Sequence, residues 1–305
     1  MPRNESPLIG DVEQFTVMPP EVSALLAAAT TVDGTPPISD GLLALVHDPT
    51  PQTRMWGLRD PGGALLGFGV AAPQGERGAA EAVLAPAHRG TGAGGALVRR
   101  MHADLTAAGT PAWFWSHGDH PAAGHLAAAL GYARERELLQ LHTDDSPVVP
   151  APAAPDGVVL RDFAPGDEPG WLRVNNAAFD WHPEQGRQTP EDIAAIVGDP
   201  DFRPADVVIA ERDRALIGFH QVKLHTDHPS GKTVGEVYVV AVDPHVHAKG
   251  VGRALTLEGM RRLLGLGAQV IELYVESDNV PARRLYESLG FTHAVVHASF
   301  APPTE

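Results

Sequence analysis

One stretch of the chain, from Gly235 to Gly252, combines a strand, a glycine-containing loop and the start of a helix. It reads G-E-V-Y-V-V-A-V-D-P-H-V-H-A-K-G-V-G. The run from Val237 to Val242 is rich in β-branched residues, which predicts a strand, and Asp243-Pro244 ends it because proline cannot donate to a sheet ladder. From Arg253 onward apolar residues recur at three- and four-residue spacings, which predicts a helix. A helix N-terminus that follows such a loop favours a bound anion, and we expect this anion to be a pyrophosphate.

The same pattern occurs a second time, 158 residues earlier. The sequence R-G-T-G-A-G, from Arg89 to Gly94, also follows a predicted strand and a proline. Gly92 and Gly250 are 158 residues apart, and an L-G-[YF] segment that closes each copy recurs at an offset of 159, at Gly131 and Gly290. A unit of about 150 residues therefore occurs twice, which indicates tandem domains rather than a solenoid.

A proline-rich segment separates the two copies. Residues 147–157 contain four prolines, which favour an extended, semi-rigid spacer. We therefore predict a first domain over residues 1–146, a linker over residues 147–157 and a second domain over residues 158–305. Both domains are expected to be of the α/β class with a mixed sheet, and residues 1–15 are expected to form a polar tail.

The composition excludes several classes of function. A formal net charge of −15 argues against nucleic acids and anionic membranes as partners. The chain has no cysteine, which excludes disulfides, thiolate metal sites and an acyl thioester on the protein, and suits a reducing compartment. No apolar run approaches the ~20 residues of a membrane helix, and the first residues lack the core of a signal peptide. We expect a cytoplasmic monomer that uses no metal.

The loop resembles the [QR]-x-x-G-x-[GA] loop of the GNAT acetyltransferase superfamily, in which it holds the pyrophosphate of acetyl-CoA. Arg89 fits the first motif position in the first copy, whereas His247 departs from it in the second. The loop matches neither a dinucleotide fingerprint nor a Walker loop. The resemblance implies two tandem GNAT domains and acetyl-CoA as the acetyl donor. A plain turn between strand and helix, with glycines for packing, is the alternative.

Transfer of an acetyl group from a thioester to an amine needs a base, an oxyanion donor and an acid. Glu236, at the head of the strand before the loop, is the predicted base, with an exposed strand-edge carboxylate as the alternative. Tyr286 is the predicted acid, with a half-buried core residue as the alternative. Asn279, Arg283 and Tyr286 share one helix face because they are four and seven residues apart.

The first copy lacks both of these groups. Glu236 maps by the 158-residue offset to Gly78, and Tyr286 maps by the 159-residue offset to Ala127. The first domain is therefore expected to bind acetyl-CoA without catalysing transfer. In the second copy, His225, Asp227 and His228 hint at a metal site, but their spacing matches no common zinc pattern and favours a polar hairpin loop.

Several segments resemble the mycothiol synthase family of tandem GNAT enzymes, which acetylate the cysteinyl amine of Cys-GlcN-inositol. They are residues 32–34, 173–179, 182–186, 218–220, 227–229, 235–239 and 273–280. The resemblance covers nearly the whole chain and implies that the second domain is catalytic. It also implies a substrate site formed by Asp40, Glu184, Lys223, Glu236 and Tyr274. The family has Glu where this chain has Asp40, a side chain shorter by one methylene.

The resemblance also implies two acetyl-CoA sites. The residues of the catalytic site would be Val240, Ala241, Val242, His247, Ala248, Lys249, Gly250, Val251, Gly252, Arg253, Asn279, Val280, Pro281, Ala282, Arg283 and Arg284. A second molecule would be held by Ala82, Val83, Leu84, Gly90, Thr91, Gly92, Ala93, Gly94 and Gly95. Two other functions stay open: a GNAT enzyme for another amine, such as an aminoglycoside or a protein N-terminus, and a non-catalytic acyl-CoA sensor.

Overall fold

The computed structural model describes residues 10–74, 77–180, 185–228, 230–246 and 248–302, without the side chains of residues 293 and 294. These residues form two compact units of similar size. The first unit runs to Leu138 and also includes the chain from Val295 onward, and the second spans Leu139–Ala294. In each unit strands and helices alternate around a mixed sheet, which confirms the predicted α/β class.

The elements follow one another in a similar order in the two halves of the sequence. The first half contains β1 (Asp11–Phe15), α1 (Glu21–Asp33), α2 (Asp40–His47), β2 (Arg54–Arg59), β3 (Leu65–Gln74), β4 (Arg77–Leu84), α3 (Ala93–Ala107), β5 (Ala112–His117), α4 (Pro121–Ala129) and β6 (Ala133–His142). The second contains β7 (Val158–Asp162), α5 (Glu168–Ala178), α6 (Pro190–Val197), β8 (Val207–Arg212), β9 (Ala215–His225), β10 (Val234–Val242), α7 (Val251–Gly265), β11 (Val270–Glu276), α8 (Val280–Glu287) and β12 (Thr292–Ala301).

In each unit an antiparallel meander leads into one parallel strand pair. In the first unit β1 to β4 pair antiparallel in sequence order, and β4 and β5 are parallel. In the second unit β7 to β10 pair antiparallel, and β10 and β11 are parallel. A parallel pair needs a crossover connection, which α3 supplies in the first unit and α7 in the second.

The closing strands are exchanged between the two halves of the sequence. The end of β12, from His297 to Phe300, pairs with β5 inside the first unit. The end of β6, from Leu139, belongs to the second unit, where β6 neighbours β11 and the following Thr143 N–H donates to the Ile271 carbonyl. Each unit therefore completes its sheet with a strand from the other half of the chain.

The crossover helices bury one apolar face each against their sheets. In the first unit Leu97 and Met101 of α3 pack with Trp56 and Leu58 of β2. In the second unit Leu255 of α7 packs into a cluster with strands β7, β8 and β9. This packing holds each helix N-terminus beside the end of the strand that precedes it. The side chains that pack are apolar ones, as the three- and four-residue spacing of an amphipathic helix predicts. No helix among the described ranges is long and apolar enough to cross a membrane.

The structure corrects two features of the sequence interpretation. Residues 11–15 form the strand β1, paired with β2 from Asp11–Arg59 to Phe15–Met55, and are not a loose tail. The short sequence D-V-E-Q-F shows too little apolar alternation to indicate a strand by itself. Helix α7 begins at Val251, two residues before its predicted start at Arg253, because Gly250 already caps it. The predicted domain boundary at residues 147–157 stays a prediction.

Candidate active site

The parallel strands of each unit diverge part of the way along their length. In the second unit the β10–β11 ladder runs from Val234–Val270 to Val237–Leu273 and ends there, although β10 continues to Val242. A register shift beside Tyr238 marks a β-bulge at the same point. In the first unit the β4–β5 ladder ends at Glu81–Trp115, although β4 continues to Leu84. The strand edge beyond each ladder can therefore pair with the amides of an extended ligand.

A glycine in the left-handed conformation begins the helix that follows each diverging strand. Gly250 caps α7 with a φ of 92°, and Gly92 caps α3 with a φ of 89°. A side chain at either position would strain the backbone, which explains the glycine in both loops. Gly252 has ordinary space around it, since an added Cβ would lie 3.7 Å from Val242. Each loop therefore leads into a helix N-terminus, whose first N–H groups have no partner within the helix and favour a bound anion.

Asp243 braces the loop of the second unit. It is buried, its carbonyl accepts from the Val246 N–H at 3.0 Å, and its Oδ1 accepts from the His245 N–H at 2.9 Å. The Arg173 guanidinium pairs with Oδ2 and also donates to the Leu216 carbonyl at 2.6 Å. Burial opposes ionisation of Asp243, but these hydrogen bonds outweigh it and hold its pKa below the usual range. Arg173 thus links α5 to the strand end that carries the loop.

Glu236 lies at the divergence point, next to a second carboxylate. The strand register places Glu236 of β10 beside Glu272 of β11, and the two residues are only 9% and 7% exposed. The His225 Nε2 lies 2.8 Å from Glu236 Oε2, and the His228 Nε2 lies 3.9 Å from Glu272 Oε2. Gln140 donates to Glu272 Oε2 at 3.0 Å. Two nearly buried carboxylates, each with a histidine beside it, therefore form the polar centre of the second unit.

The pKa values of this cluster are shifted in directions that its geometry explains. Burial raises the pKa of Glu272, the negative charge of Glu236 adds to that rise, and the hydrogen bond from Gln140 opposes it. The hydrogen bond to Glu236 raises the pKa of His225 against the opposing effect of burial. The cluster therefore brings together the negative charge of two carboxylates, which attracts a cation, and side chains that can exchange a proton.

Helix α8 carries the other predicted reacting group. Tyr286 is half-buried and meets Phe291 edge to face at 5.8 Å, and burial raises its pKa to about 12. The Asn279 side chain caps α8 by accepting from the Ala282 N–H, which leaves its amide N–H groups as donors. Arg283 donates to the Ser277 carbonyl, so its predicted contact with a ligand would compete with this bond.

The remaining predicted substrate residues are spread over the chain. Lys223 is exposed beside Glu236 in the β9–β10 register, with its Nζ 3.3 Å from the centre of the Tyr238 ring. Tyr274 is exposed on β11, and Asp40 is the exposed first residue of α2 in the first unit. Glu184 and His247 lie outside the described residues. Over the described ranges no group of three His, Asp or Glu side chains is arranged to hold a metal ion.

The first unit contains a cavity of about 310 Å³ along its own strand split. Its walls include Ala82–Leu84, Gly90, Gly94 and Ala127. The Ala127 carbonyl accepts a hydrogen bond from the Tyr132 N–H. The Tyr286 carbonyl accepts the same bond from the Phe291 N–H, so Ala127 is the counterpart of Tyr286. Arg89 is engaged in a bidentate ion pair with Asp33, at 2.6 and 2.7 Å. The cavity therefore has the shape of a ligand site but no phenol at the matching position.

The counterpart of Glu236 is Ala79 rather than Gly78. Val239 and Glu81 occupy matching places before the loops. The bulge adds one residue, Tyr238, to β10, so the residues of β10 that precede it align with β4 at an offset of 157 instead of 158. Ala79 is apolar and buried, so the first unit has no carboxylate at this place. Its buried Glu81 is occupied by protein partners, because Oε2 accepts from the Ser39 N–H at 2.6 Å and Oε1 lies 2.9 Å from His117 Nε2.

Sequence reasoning missed Glu272 and its donor Gln140. Glu272 lies in a strand whose other buried residues are apolar, and a charged residue within V-I-E-L-Y-V-E is the signal that could have found it. The pairing of His225 with Glu236 had no such signal, because it depends on the register of the hairpin.

Comparison with known proteins agrees with this architecture. The Acetyltransferase (GNAT) family matches residues 171–291. The chain is 44% identical over 288 residues to the mycothiol acetyltransferase of Thermomonospora curvata, covering 93% of each chain, and 43% identical to that of Nocardia farcinica, covering 92% of each. A GCN5-related N-acetyltransferase from Sphaerobacter thermophilus superposes with a TM-score of 0.76 at 19% identity, covering 96% of this chain and 97% of that one.

A tandem GNAT protein from the clavulanic acid biosynthesis pathway superposes with a TM-score of 0.66, at 19% identity over 97% of this chain and all of its own. At 19% identity the two solved structures support the fold alone, and that fold is the predicted tandem GNAT arrangement. The relatives above 40% identity, matched over more than nine-tenths of the sequence, decide the family. The chain belongs to the mycothiol acetyltransferase family of tandem GNAT proteins.

Proposed function

We propose that this protein transfers the acetyl group of acetyl-CoA to the cysteinyl amine of Cys-GlcN-inositol, giving mycothiol. The observation that carries the proposal is the nearly buried Glu236 at the end of the β10–β11 ladder, beside a strand edge and a glycine-capped helix. This combination puts a proton acceptor next to the place where an extended thioester can lie. The names of the relatives supply mycothiol, and the family resemblance implies Cys-GlcN-inositol as the amine.

Acetyl-CoA supplies the thioester that is attacked. The N–H groups at the start of α7 would hold its pyrophosphate, since the first N–H groups of a helix have no partner within it and the helix dipole favours an anion there. The backbone of Val240–Val242 would pair with the pantetheine amides in the manner of an added strand. The amide of Asn279 and the exposed Arg284 would complete the site as donors. Together they would hold the thioester at a fixed distance from Glu236.

The reaction releases one proton per turnover, and Glu236 is the group placed to remove it. The ammonium must lose a proton before its nitrogen can attack the thioester carbonyl. His225 occupies the side of Oε2, so Oε1 is the oxygen left for the substrate. The amine loses a second proton after attack, and that proton ends on the departing thiol.

Tyr286 would act on the departing sulfur as a hydrogen-bond donor. With a pKa of about 12 its phenol keeps its proton at any physiological pH. A thiol ionises near a pKa of about 8.5, so full proton transfer from this phenol to a thiolate is uphill by roughly 3.5 pKa units. A donated hydrogen bond gives the developing negative charge its stabilisation without that cost.

The substrate is proposed to be held largely by charge. Glu236 and Glu272 attract an ammonium, and Lys223, Tyr274, Glu184 and Asp40 are the proposed contacts to the rest of a polyhydroxylated molecule. The first unit is proposed to bind a second acetyl-CoA along Ala82–Leu84 and Gly90–Gly95 without catalysis. Its cavity supports this role, and Ala79 and Ala127 supply neither base nor phenol.

The direct test is product formation. The protein is incubated with acetyl-CoA and Cys-GlcN-inositol, and the acetylated product is sought by mass spectrometry beside thiol release from CoA. An aminoglycoside and a peptide with a free N-terminus serve as competing amines. We expect acetylation of Cys-GlcN-inositol with a kcat/KM far above that of either competitor. Preference for another amine would reassign the substrate, and binding of acetyl-CoA without any transfer would make the protein a sensor.

A further inference from the structure

The hairpin between β9 and β10 places one histidine against the catalytic carboxylate. His225 is the last residue of β9, and its Nε2 lies 2.8 Å from Glu236 Oε2. The Glu236 side chain is only 12% exposed, whereas that of His225 is 32% exposed. The two residues thus form a dyad with a nearly buried carboxylate and a ring that reaches water.

This contact restricts what Glu236 can do. A carboxylate whose Oε2 accepts a hydrogen bond is held in one rotamer, which leaves Oε1 in a defined direction. The charge of the neighbouring ring also matters, because a protonated imidazole stabilises the carboxylate and so lowers its basicity. The ionisation of His225 would therefore change the strength of the base without any movement of the chain.

We propose that His225 is a positioning residue for the acetyl transfer, which orients Glu236 through the Nε2–Oε2 hydrogen bond and switches its basicity when the imidazole gains or loses a proton. This inference rests on the proposed role of Glu236 as the base. In the step itself the ammonium N–H bond breaks and a bond from that hydrogen to Glu236 Oε1 forms, while His225 keeps its own hydrogen on Nε2. No oxidant or reductant takes part.

The charged groups around His225 determine the sign of the switch. Glu236 of β10 and Glu272 of β11 favour the imidazolium, Lys223 of its own strand opposes it, and the hydrogen bond to Glu236 is the largest influence. The pKa of His225 is raised as a result. His228, on the following turn, lies beside Glu272 and not beside Glu236. We therefore expect kcat to fall as the pH is lowered through the raised pKa of His225.

Two substitutions separate orientation from charge. His225→Gln keeps an amide donor near the position of Nε2 but cannot titrate, whereas His225→Phe removes both the donor and the charge. Profiles of kcat against pH are measured at saturating concentrations of both substrates, so that they report groups in the bound complex. His125→Gln is the control, because it changes an exposed histidine of α4, in the first unit, that has no part in the proposed catalytic site.

We expect His225→Gln to retain kcat within about threefold at pH 8 and to move the acidic limb to lower pH. His225→Phe should lower kcat by about tenfold or more with an unchanged KM for acetyl-CoA, since general base catalysis is worth ~10²–10⁴ in rate and only part of it is lost. His125→Gln should keep the wild-type profile. A His225→Gln profile that overlays the wild-type profile overturns the inference. Absence of acetylated product from the wild-type protein overturns the proposed function instead, so the two failures are distinct.

Discussion

Two nearly buried carboxylates, those of Glu236 and Glu272, lie beside each other, and such a pair destabilises the folded state. Glu236 and Glu272 are neighbours in a parallel register and repel when both are ionised. An apolar pair would pack here without that repulsion. The arrangement is therefore suited to bind a cation, which agrees with an ammonium substrate.

Glu236→Gln tests the base directly. The amide keeps the shape of the side chain and removes the proton acceptor, so we expect kcat to fall by ~10²–10⁴ at neutral pH. The loss should shrink as the pH rises, because more of the substrate amine is then neutral before it binds. The KM for acetyl-CoA should stay near the wild-type value. An unchanged kcat at neutral pH would remove Glu236 from the mechanism.

Glu272→Gln tests the cost of the second carboxylate. Its folded-state pKa is raised by burial, so the folded protein holds a proton that the unfolded chain has already lost, and stability falls as the pH rises between the two pKa values. This destabilisation is absent below the pKa of a glutamate in the unfolded chain, about 4.3, and is complete above the raised pKa of Glu272 in the folded protein. We therefore expect Glu272→Gln to raise the free energy of unfolding at pH 7 and to leave it unchanged near pH 4. Denaturant titrations at both pH values measure this, with the exposed Glu135→Gln as control. A variant less stable than the wild type at pH 7 would contradict the expectation.

At the scale of elements, helix α7 is held against β9 by a histidine in the core. His220 is fully buried, and its Nδ1 lies 2.8 Å from the Leu255 carbonyl. Burial lowers the pKa of His220 to about 4, so the ring is neutral and can donate this bond. Gly259, one turn further along α7, leaves the space that the ring fills, since a Cβ there would come within 2.0 Å of His220 Cε1.

Two glycines of α7 should therefore respond in opposite directions to the same substitution. Gly259→Ala forces the added methyl group into His220, and such overpacking costs roughly 1–3 kcal/mol. Gly265→Ala places the methyl group where nothing lies within 4 Å, and the higher helix propensity of alanine should stabilise by up to about 1 kcal/mol. Thermal or denaturant unfolding of both variants measures the difference. Equal effects would mean that His220 and the helix do not pack as described.

Sequence patterns gave the elements of the site but not its lateral contacts. Strand β10, the loop and helix α7 follow from alternation, proline and periodicity, which are local properties. The bulge at Tyr238 is not local, because it depends on pairing with β9, and it shifted the mapping of Glu236 onto the first copy by one residue. The pairing of β12 with β5 is likewise invisible, since any strand with apolar alternation could occupy that edge.

At the scale of the whole molecule, the two units share one plan and differ in what they place at the strand split. Both have diverging parallel strands and a helix that begins at a left-handed glycine. The second adds Glu236 and Tyr286, whereas the first has Ala79 and Ala127 at the matching positions. A duplicated unit that keeps the binding loop but not the reacting groups is expected to bind a ligand and leave it unchanged.

Matched substitutions of the two capping glycines test this asymmetry. Gly92 and Gly250 have φ values of 89° and 92°, so an aspartate imposes nearly the same backbone strain in each loop, and Asp tolerates this conformation better than most residues. In both loops the new charge would stand beside the proposed pyrophosphate. Gly92→Asn and Gly250→Asn are the controls, because they add a side chain of the same shape without the charge.

We expect Gly250→Asp to abolish turnover, and Gly92→Asp to keep most of kcat while it reduces the number of acetyl-CoA molecules bound or the thermal shift that they cause. The thermal shift follows from mass action, since a ligand that binds only the folded protein stabilises it. Circular dichroism first establishes that each variant is folded, and equilibrium binding and steady-state kinetics then measure the two effects. The Asn variants should lie between the wild type and the Asp variants, because they lack the repulsion of the phosphates. If Gly92→Asp abolished turnover in a folded protein and Gly250→Asp did not, the first unit would be the catalytic one.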